Sequence, residues 1–385
     1  MKKSKRRNDS WIGALFFLAI GAACGFALSR FIGITGATEL SFGKYLLIMA
    51  GLAITLYAAI FLQIIIHETG HLVFGIATGY RFSSFRIASL MLVKTEGGMR
   101  LRRLSLAGTG GQCLLSPPEA NGWRFPYALY NLGGSIANLI SAAIFAALLP
   151  ACGGLPYLRL VLEMLSAAGA GFALVNGIPL HMGAIDNDGC NALSLGKTPE
   201  ALRSFWIQMK VNALQTNGVR LRDMPAEWFR MPESGELSNS MVAVEAVLCE
   251  NRLMDERRFD EAAKLIDRLA AMETGITGLH MGLLRCDRIY CGLLAGEDIA
   301  SLRTKEQRRF ERQMRNYLTV VRTEYVRLLY DGDVARAERC RVFFERVAKS
   351  YPFSAEAAAE RGLMELALAA VNAQGRQPEP DTALS

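Results

Sequence analysis

Apolar and polar positions divide this chain into two halves of different character. Residues 11–180 hold long apolar runs with almost no charge, whereas 197–375 interleave apolar positions with closely spaced Arg, Glu and Lys. Runs at approximately 11–33, 45–78, 127–150 and 157–180 reach the roughly 20 residues at which a helix crosses a bilayer. The second is too long for one crossing. Tyr45 to Ile66 alone spans about 33 Å at 1.5 Å per residue, so 67–78 is expected at a membrane boundary, with Gly79 ending the helix. Between the second and third runs, "SSFRIASLMLVKTEGGMRLRRLSL" predicts two β-prone stretches joined as a hairpin around Glu96-Gly97-Gly98, and "AGTGGQCLLSPPE" predicts Gly and Pro punctuation after it. From 240 onward, "MVAVEAVLCENRLMDERRFDEAAKLIDRLAAM" has apolar residues at helical spacing. The expected fold class is mainly α: a polytopic membrane helical bundle of about four spans with a small β-hairpin insertion (1–196), an interfacial linker (197–239), a cytoplasmic α-helical domain (240–374) and a disordered tail (375–385).

Charge adds an orientation. Lys2, Lys3, Lys5, Arg6 and Arg7 precede the first run, and Arg81, Arg86, Lys94, Arg100, Arg102, Arg103 and Arg124 lie between the second and third. The connections at 34–44 and 151–156 have Lys44 as their only cation. Cationic loops stay inside, which puts the N-terminus, 81–126 and everything after about 180 in the cytoplasm of a multi-pass cell-membrane protein. The net charge of +7 suits loops facing anionic lipid. No basic patch interleaved with aromatics and no nucleic-acid module is present, so no nucleic-acid partner is expected. The first run exceeds the 7–15 residues of a signal-peptide core and reads as a retained membrane helix. The eight cysteines form no C-x-x-C pair, which suits free thiols in a reducing compartment. Phe205, Trp206, Trp228 and Phe229 suit either the membrane interface or packing against the domain that follows, and packing is the expectation.

Candidate chemistry sits inside the second apolar run, at "QIIIHETGHLVFG" (63–75). His67 and His71, four residues apart, project from one helix face, so both imidazoles can bind one metal ion while Glu68 reaches a bound water. This is H-E-x-x-H, the zinc-hydrolase signature. Burying two imidazoles and a carboxylate in an apolar helix costs several kcal/mol unless something compensates, and a dication would. A catalytic zinc takes three protein ligands and leaves a position for water. The best source of the third is "NGIPLHMGAIDNDGCNAL" (176–193), at the end of the fourth run on the same membrane face. It offers His181, Asp186 and Asp188, with Asn187 or Asp188 able to cap a following helix.

These pieces together resemble the site-2 protease family of intramembrane zinc metalloproteases. "HETGH" at 67–71, "NLGGSIANL" at 131–139 and "NGIPLHMGAIDNDG" at 176–189 match its motifs in order and membrane context, over roughly residues 45–195. The resemblance implies one Zn2+ per chain held by His67, His71 and Asp188, with Glu68 as general base and Asn138 as a polar residue near the substrate or oxyanion. The last motif is longer than the compact family form, which leaves Asp186 and His181 as rival ligands, and Ser135 stands where the family often has proline. The implied activity is hydrolysis of peptide bonds in membrane-associated or transmembrane proteins. The alternative is a catalytically silent metal-binding scaffold whose cytoplasmic domain carries the function. "RRFDEAAKLIDRLA" and "LYDGDVARAERCRVFFERVAKSYP" resemble tetratricopeptide units, which would give that domain a surface for a protein partner.

Overall fold

The computed structural model describes residues 10–35, 41–104, 110–182 and 185–373. The expected tail at 375–385 and the N-terminal cations lie outside them. Helices dominate, in the order α1 (Ser10–Thr35), α2 (Phe42–Ala77), α3 (Ala128–Leu148), α4 (Pro156–Gly177), α5 (Asp188–Ser194), α6 (Pro199–Thr216), α7 (Ser240–Asp255), α8 (Phe259–Ala270), α9 (Gly278–Ala295), α10 (Lys305–Gln313), α11 (Leu318–Tyr330), α12 (Val334–Ser350) and α13 (Ser354–Ala373). Among the described residues the strands are β1 (Arg81–Ile87), β2 (Leu90–Thr95), β3 (Gly98–Arg103), β4 (Gly111–Ser116), β5 (His181–Met182) and β6 (Ile185–Asp186). The chain divides into two compact units, Met1–Leu90 with Ser105–Leu202, and Met91–Leu104 with Arg203–Ser385.

Among the described residues, three helices are long and apolar enough to cross a membrane: Phe42–Ala77, Ala128–Cys152 and Pro156–Gly177. α1 covers the first expected run, but its described apolar stretch, Leu18–Ile34, is shorter than these. Large apolar side chains such as Leu47, Ile54, Leu139 and Ile144 point outward from α2 and α3, the arrangement a helix adopts when its surroundings are as apolar as its core. Inward contacts use small residues. A methyl group added at Gly70 of α2 would lie 2.2 Å from the carbonyl oxygen of Gly133 of α3, so the two backbones touch. α2 ends in a Schellman motif, with Tyr80 N–H bonded to Gly75 O (3.1 Å) and Gly79 N–H to Ile76 O (3.0 Å). Gly79 takes the left-handed conformation this requires, with φ 90°.

The expected hairpin is part of a larger element, a four-stranded sheet in the order β3-β2-β1-β4. Two differences from the sequence expectation have simple causes. Ala88, with φ 51°, breaks the first β-prone stretch into β1 and β2. "GQCLLS", expected as punctuation, pairs antiparallel with β1 from Ile87↔Gly111 to Arg81↔Ser116. Its ladder partner lies more than twenty residues upstream, which no local pattern reveals.

In the second unit, α7, α9, α11 and α13 contact one another in succession, with α8 against α7 and α9, α10 against α9 and α12 against α11. This layout buries ionisable side chains from successive helices near one another: Glu250, Asp287, Arg322 and Glu360. Arg322, fully buried, donates to Asp287 Oδ1 and, at 2.8 Å, to Glu360 Oε2. Thr319 donates to the other Glu360 oxygen at 2.5 Å. Trp206 and Trp228 meet edge to face with centroids 5.4 Å apart.

Candidate metal centre

His67 and His71 lie on the face of α2 that meets α3, and both rings are buried. Their orientations are fixed from behind. His71 Nδ1 is 2.7 Å from the Tyr130 carbonyl oxygen; a carbonyl only accepts, so Nδ1 carries a proton, and in the neutral ring Nε2 keeps the lone pair. His67 Nδ1 is 2.7 Å from Asn138 Oδ1. A chain of amides settles that contact too. Gln63 Nε2 donates to Leu165 O (2.9 Å), which turns Gln63 Oε1 toward Asn138 Nδ2 (2.7 Å), and Nδ2 also donates to Gln63 O (2.9 Å). Asn138 Oδ1 is thereby left to accept from His67 Nδ1, and His67 also presents a bare Nε2.

Asp188 arrives from the break after α4. Asn187 organises this break: its Nδ2 donates to Val175 O (2.7 Å) and Ile178 O (2.6 Å), and its Oδ1 accepts from Leu180 N (3.1 Å) and Cys190 N (3.0 Å). Asn187 therefore caps α5 and sets Asp188 as its first residue. Gly189 lets the turn close, since a methyl group there would lie 2.3 Å from Gly177 O.

The three side chains converge. His67 Nε2 and His71 Nε2 are 3.1 Å apart, and Asp188 Oδ2 lies 3.1 Å from the first and 3.4 Å from the second. They form the group among the described residues whose His, Cys, Asp or Glu donor atoms could hold a metal ion. Ligands placed tetrahedrally at about 2.0–2.1 Å from a zinc ion would be roughly 3.3–3.4 Å apart, close to these three edges. Two lone pairs and a carboxylate oxygen facing one another in a buried space repel unless a cation lies among them. The Asp188 side chain is 25 % exposed against 10 % for each histidine, so the trio is reached from the Asp188 side.

Glu68 is buried beside the trio, its carboxylate against Gly111 of β4, where a methyl group would lie 2.6 Å from Oε1. Arg86 of β1, fully buried, donates to Ala88 O (2.6 Å) and Gly111 O (3.1 Å), so the sheet is tied together at the residue that abuts Glu68. Gly134 leaves room for the His67 ring, from which an added methyl would be 2.5 Å.

His67, His71 and Asp188 thus come together with Glu68 alongside. Asp186, on β6, is not in the converging group, and the side chain of His181 lies outside the described residues. Asn138 stands behind His67, its amide oxygen and nitrogen occupied by the ring and by Gln63, so it orients the imidazole. Gln63, Tyr130 and the Gly133-Gly134 pair were not anticipated in these roles. One signal was available: Gln63 is a polar residue four positions before His67, on the same helix face of an apolar run. Comparison with protein-family models, curated proteins and solved structures finds no match.

Proposed function

We propose that this chain is a membrane-embedded zinc-dependent endopeptidase of the site-2 protease type, hydrolysing peptide bonds of membrane-associated or transmembrane proteins. One observation carries the reading: two imidazoles with outward-facing Nδ1 protons turn bare Nε2 atoms onto one Asp188 oxygen, with Glu68 beside them. His67, His71 and Asp188 would hold the zinc ion, which supplies Lewis acidity and an activated water when bound. Glu68 takes a proton from the attacking water and returns it to the leaving amine. Asn138 and the Tyr130 carbonyl hold the two rings in the tautomer that ligation needs. The two rings and Glu68 are buried, and the trio opens at Asp188.

The fold around the site extends the proposal. α1 is read as a further crossing beside the three membrane-length helices, and the loop charges favour a cytoplasmic N-terminus and C-terminal unit. The succession of helix pairs beginning at Ser240, Gly278 and Leu318 supports tetratricopeptide-like repeats that bind a protein partner.

Two measurements test the reading. Metal analysis of the detergent-purified chain should find one zinc, lost in Asp188→Ala and kept in Asp186→Ala. A panel of fluorogenic transmembrane peptides should be cleaved by the wild type and not by Glu68→Gln, whose zinc content stays unchanged. Zinc without cleavage of any peptide would favour the silent scaffold, and cleavage surviving Glu68→Gln would end the proteolytic assignment.

A further inference from the structure

α10 is fixed on the second unit by one face. Thr304 caps it by accepting from Gln307 N (3.2 Å). Gln307 Nε2 donates to Gly282 O (3.1 Å) and meets Cys286 Sγ (3.2 Å), and the Phe310 ring packs against Gly282, where a methyl group would lie 2.4 Å from it. With that face pinned on α9, the opposite one presents Lys305, Arg308, Arg309 and Arg312, followed by Arg315, all exposed. Positions 305, 308, 309 and 312 fall one turn apart on the same face.

This row has no carboxylate partner among the described residues. Glu306, exposed on the same helix, makes no ion pair among the described residues, and the other nearby carboxylates are taken: Arg303 holds Glu311 (2.8 Å) and Glu324 (3.4 Å), and Arg327 also binds Glu324 (2.7 Å). Arg308 donates to a neutral acceptor, the Arg303 carbonyl (2.8 Å). Many other arginines of this unit are matched with acids, as Arg258 is with Glu261, Arg288 with Asp267 and Glu297, Arg341 with Glu338 and Arg361 with Glu345. Like charges stacked along a helix repel, so an anionic partner would relieve this face.

We propose that the outer face of α10 docks on anionic phospholipid headgroups. The chain's own membrane-length helices favour this occupant over a soluble acidic partner. α6 runs unbroken across residue 202, where one unit gives way to the other. The second unit is therefore tethered near lipid, at an effective concentration a free partner does not have. A headgroup surface asks for no side-chain pocket, only for several cations on one face, each adding roughly fivefold to the docked population. The proposal depends on membrane insertion and is independent of the catalytic reading.

The test uses the full chain in lipid nanodiscs of phosphatidylcholine alone or mixed with phosphatidylglycerol, read by hydrogen exchange. Amides of 305–315 should exchange several-fold more slowly with phosphatidylglycerol present. The protection should vanish at about 1 M salt, where the screening length falls to roughly 3 Å. It should be lost in Lys305→Glu/Arg309→Glu/Arg312→Glu and kept in Arg309→Lys/Arg312→Lys. α8 reports on folding in each variant; if it loosens in the charge-reversed chain, the salt and lysine arms decide. Equal exchange of 305–315 in the two lipids would overturn the proposal, as would protection that survives salt, or loss of protection in the lysine variant with α8 intact.

Discussion

Each unit buries a polar cluster, and the two meet their costs differently. In the helical unit Arg322 is fully enclosed but bonded to Asp287 and Glu360, with Thr319 completing the Glu360 carboxylate. For Arg322, Asp287 and Glu360 charge and counter-charge come from the same fold, so this trio is explained without a ligand, while the neighbouring Glu250 carboxyl has no hydrogen-bond partner. In the membrane unit His67, His71 and Asp188 are held just as firmly from behind, yet their front atoms face one another as acceptors. On the proposed reading the difference is that between a structural ion-pair trio, whose charges answer one another, and a site whose charges a cation would answer.

The comparison can be broken at several points. The largest effect is expected at Glu68, where Glu68→Gln should lower peptide cleavage by about 10²–10⁴-fold or more without changing metal content, measured by turnover and metal analysis on one preparation. Arg322→Met should destabilise the helical unit by about 3–5 kcal/mol, because two buried carboxylates lose their cation; denaturant unfolding checks this, and zinc binding should be unaffected. Asn138→Ala should weaken metal affinity by about 10–100-fold by releasing the His67 ring, read by chelator competition, with folding retained. The smallest effect concerns Glu250, fully buried, with no hydrogen-bond partner on either carboxylate oxygen. Burial pushes its carboxyl well above the usual range, and Asp287 adds to the effect. A carboxyl raised on folding is neutral in both states at low pH. Stability therefore falls as pH rises above about 4.3, where the unfolded chain begins to ionise while the folded one does not. Glu250→Gln should flatten that slope and stabilise the unit by about 1 kcal/mol near neutral pH, read by hydrogen exchange of α7 against pH.

How much of this was legible in the sequence depended on distance along the chain. His67 and His71 are separated by one helical turn, so spacing alone put them on one face. Asp188 is 121 residues from His67, and the sequence narrowed it only to a short segment that also held Asp186 and His181. What selects it is the Asn187 side chain, which grips four backbone groups and starts α5 at the next residue. Asn138 was expected before the substrate and is found behind a ring, because whether a polar residue faces a site or supports it depends on the rotation of α3 against α2. Gly133 and Gly134 set that rotation through what they lack, and the absence of a side chain leaves no periodic mark. β4 was missed for the related reason that its ladder partner comes from across the sheet.

The backbone contact at Gly70 and Gly133 also bears on traffic. A seam where two main chains touch has no width through which a polypeptide could slide, and it lies one residue before His71. On the proposed reading, a substrate approaching the trio would be denied the α2–α3 flank. Its path must run along another wall, and widening that seam would open no second door.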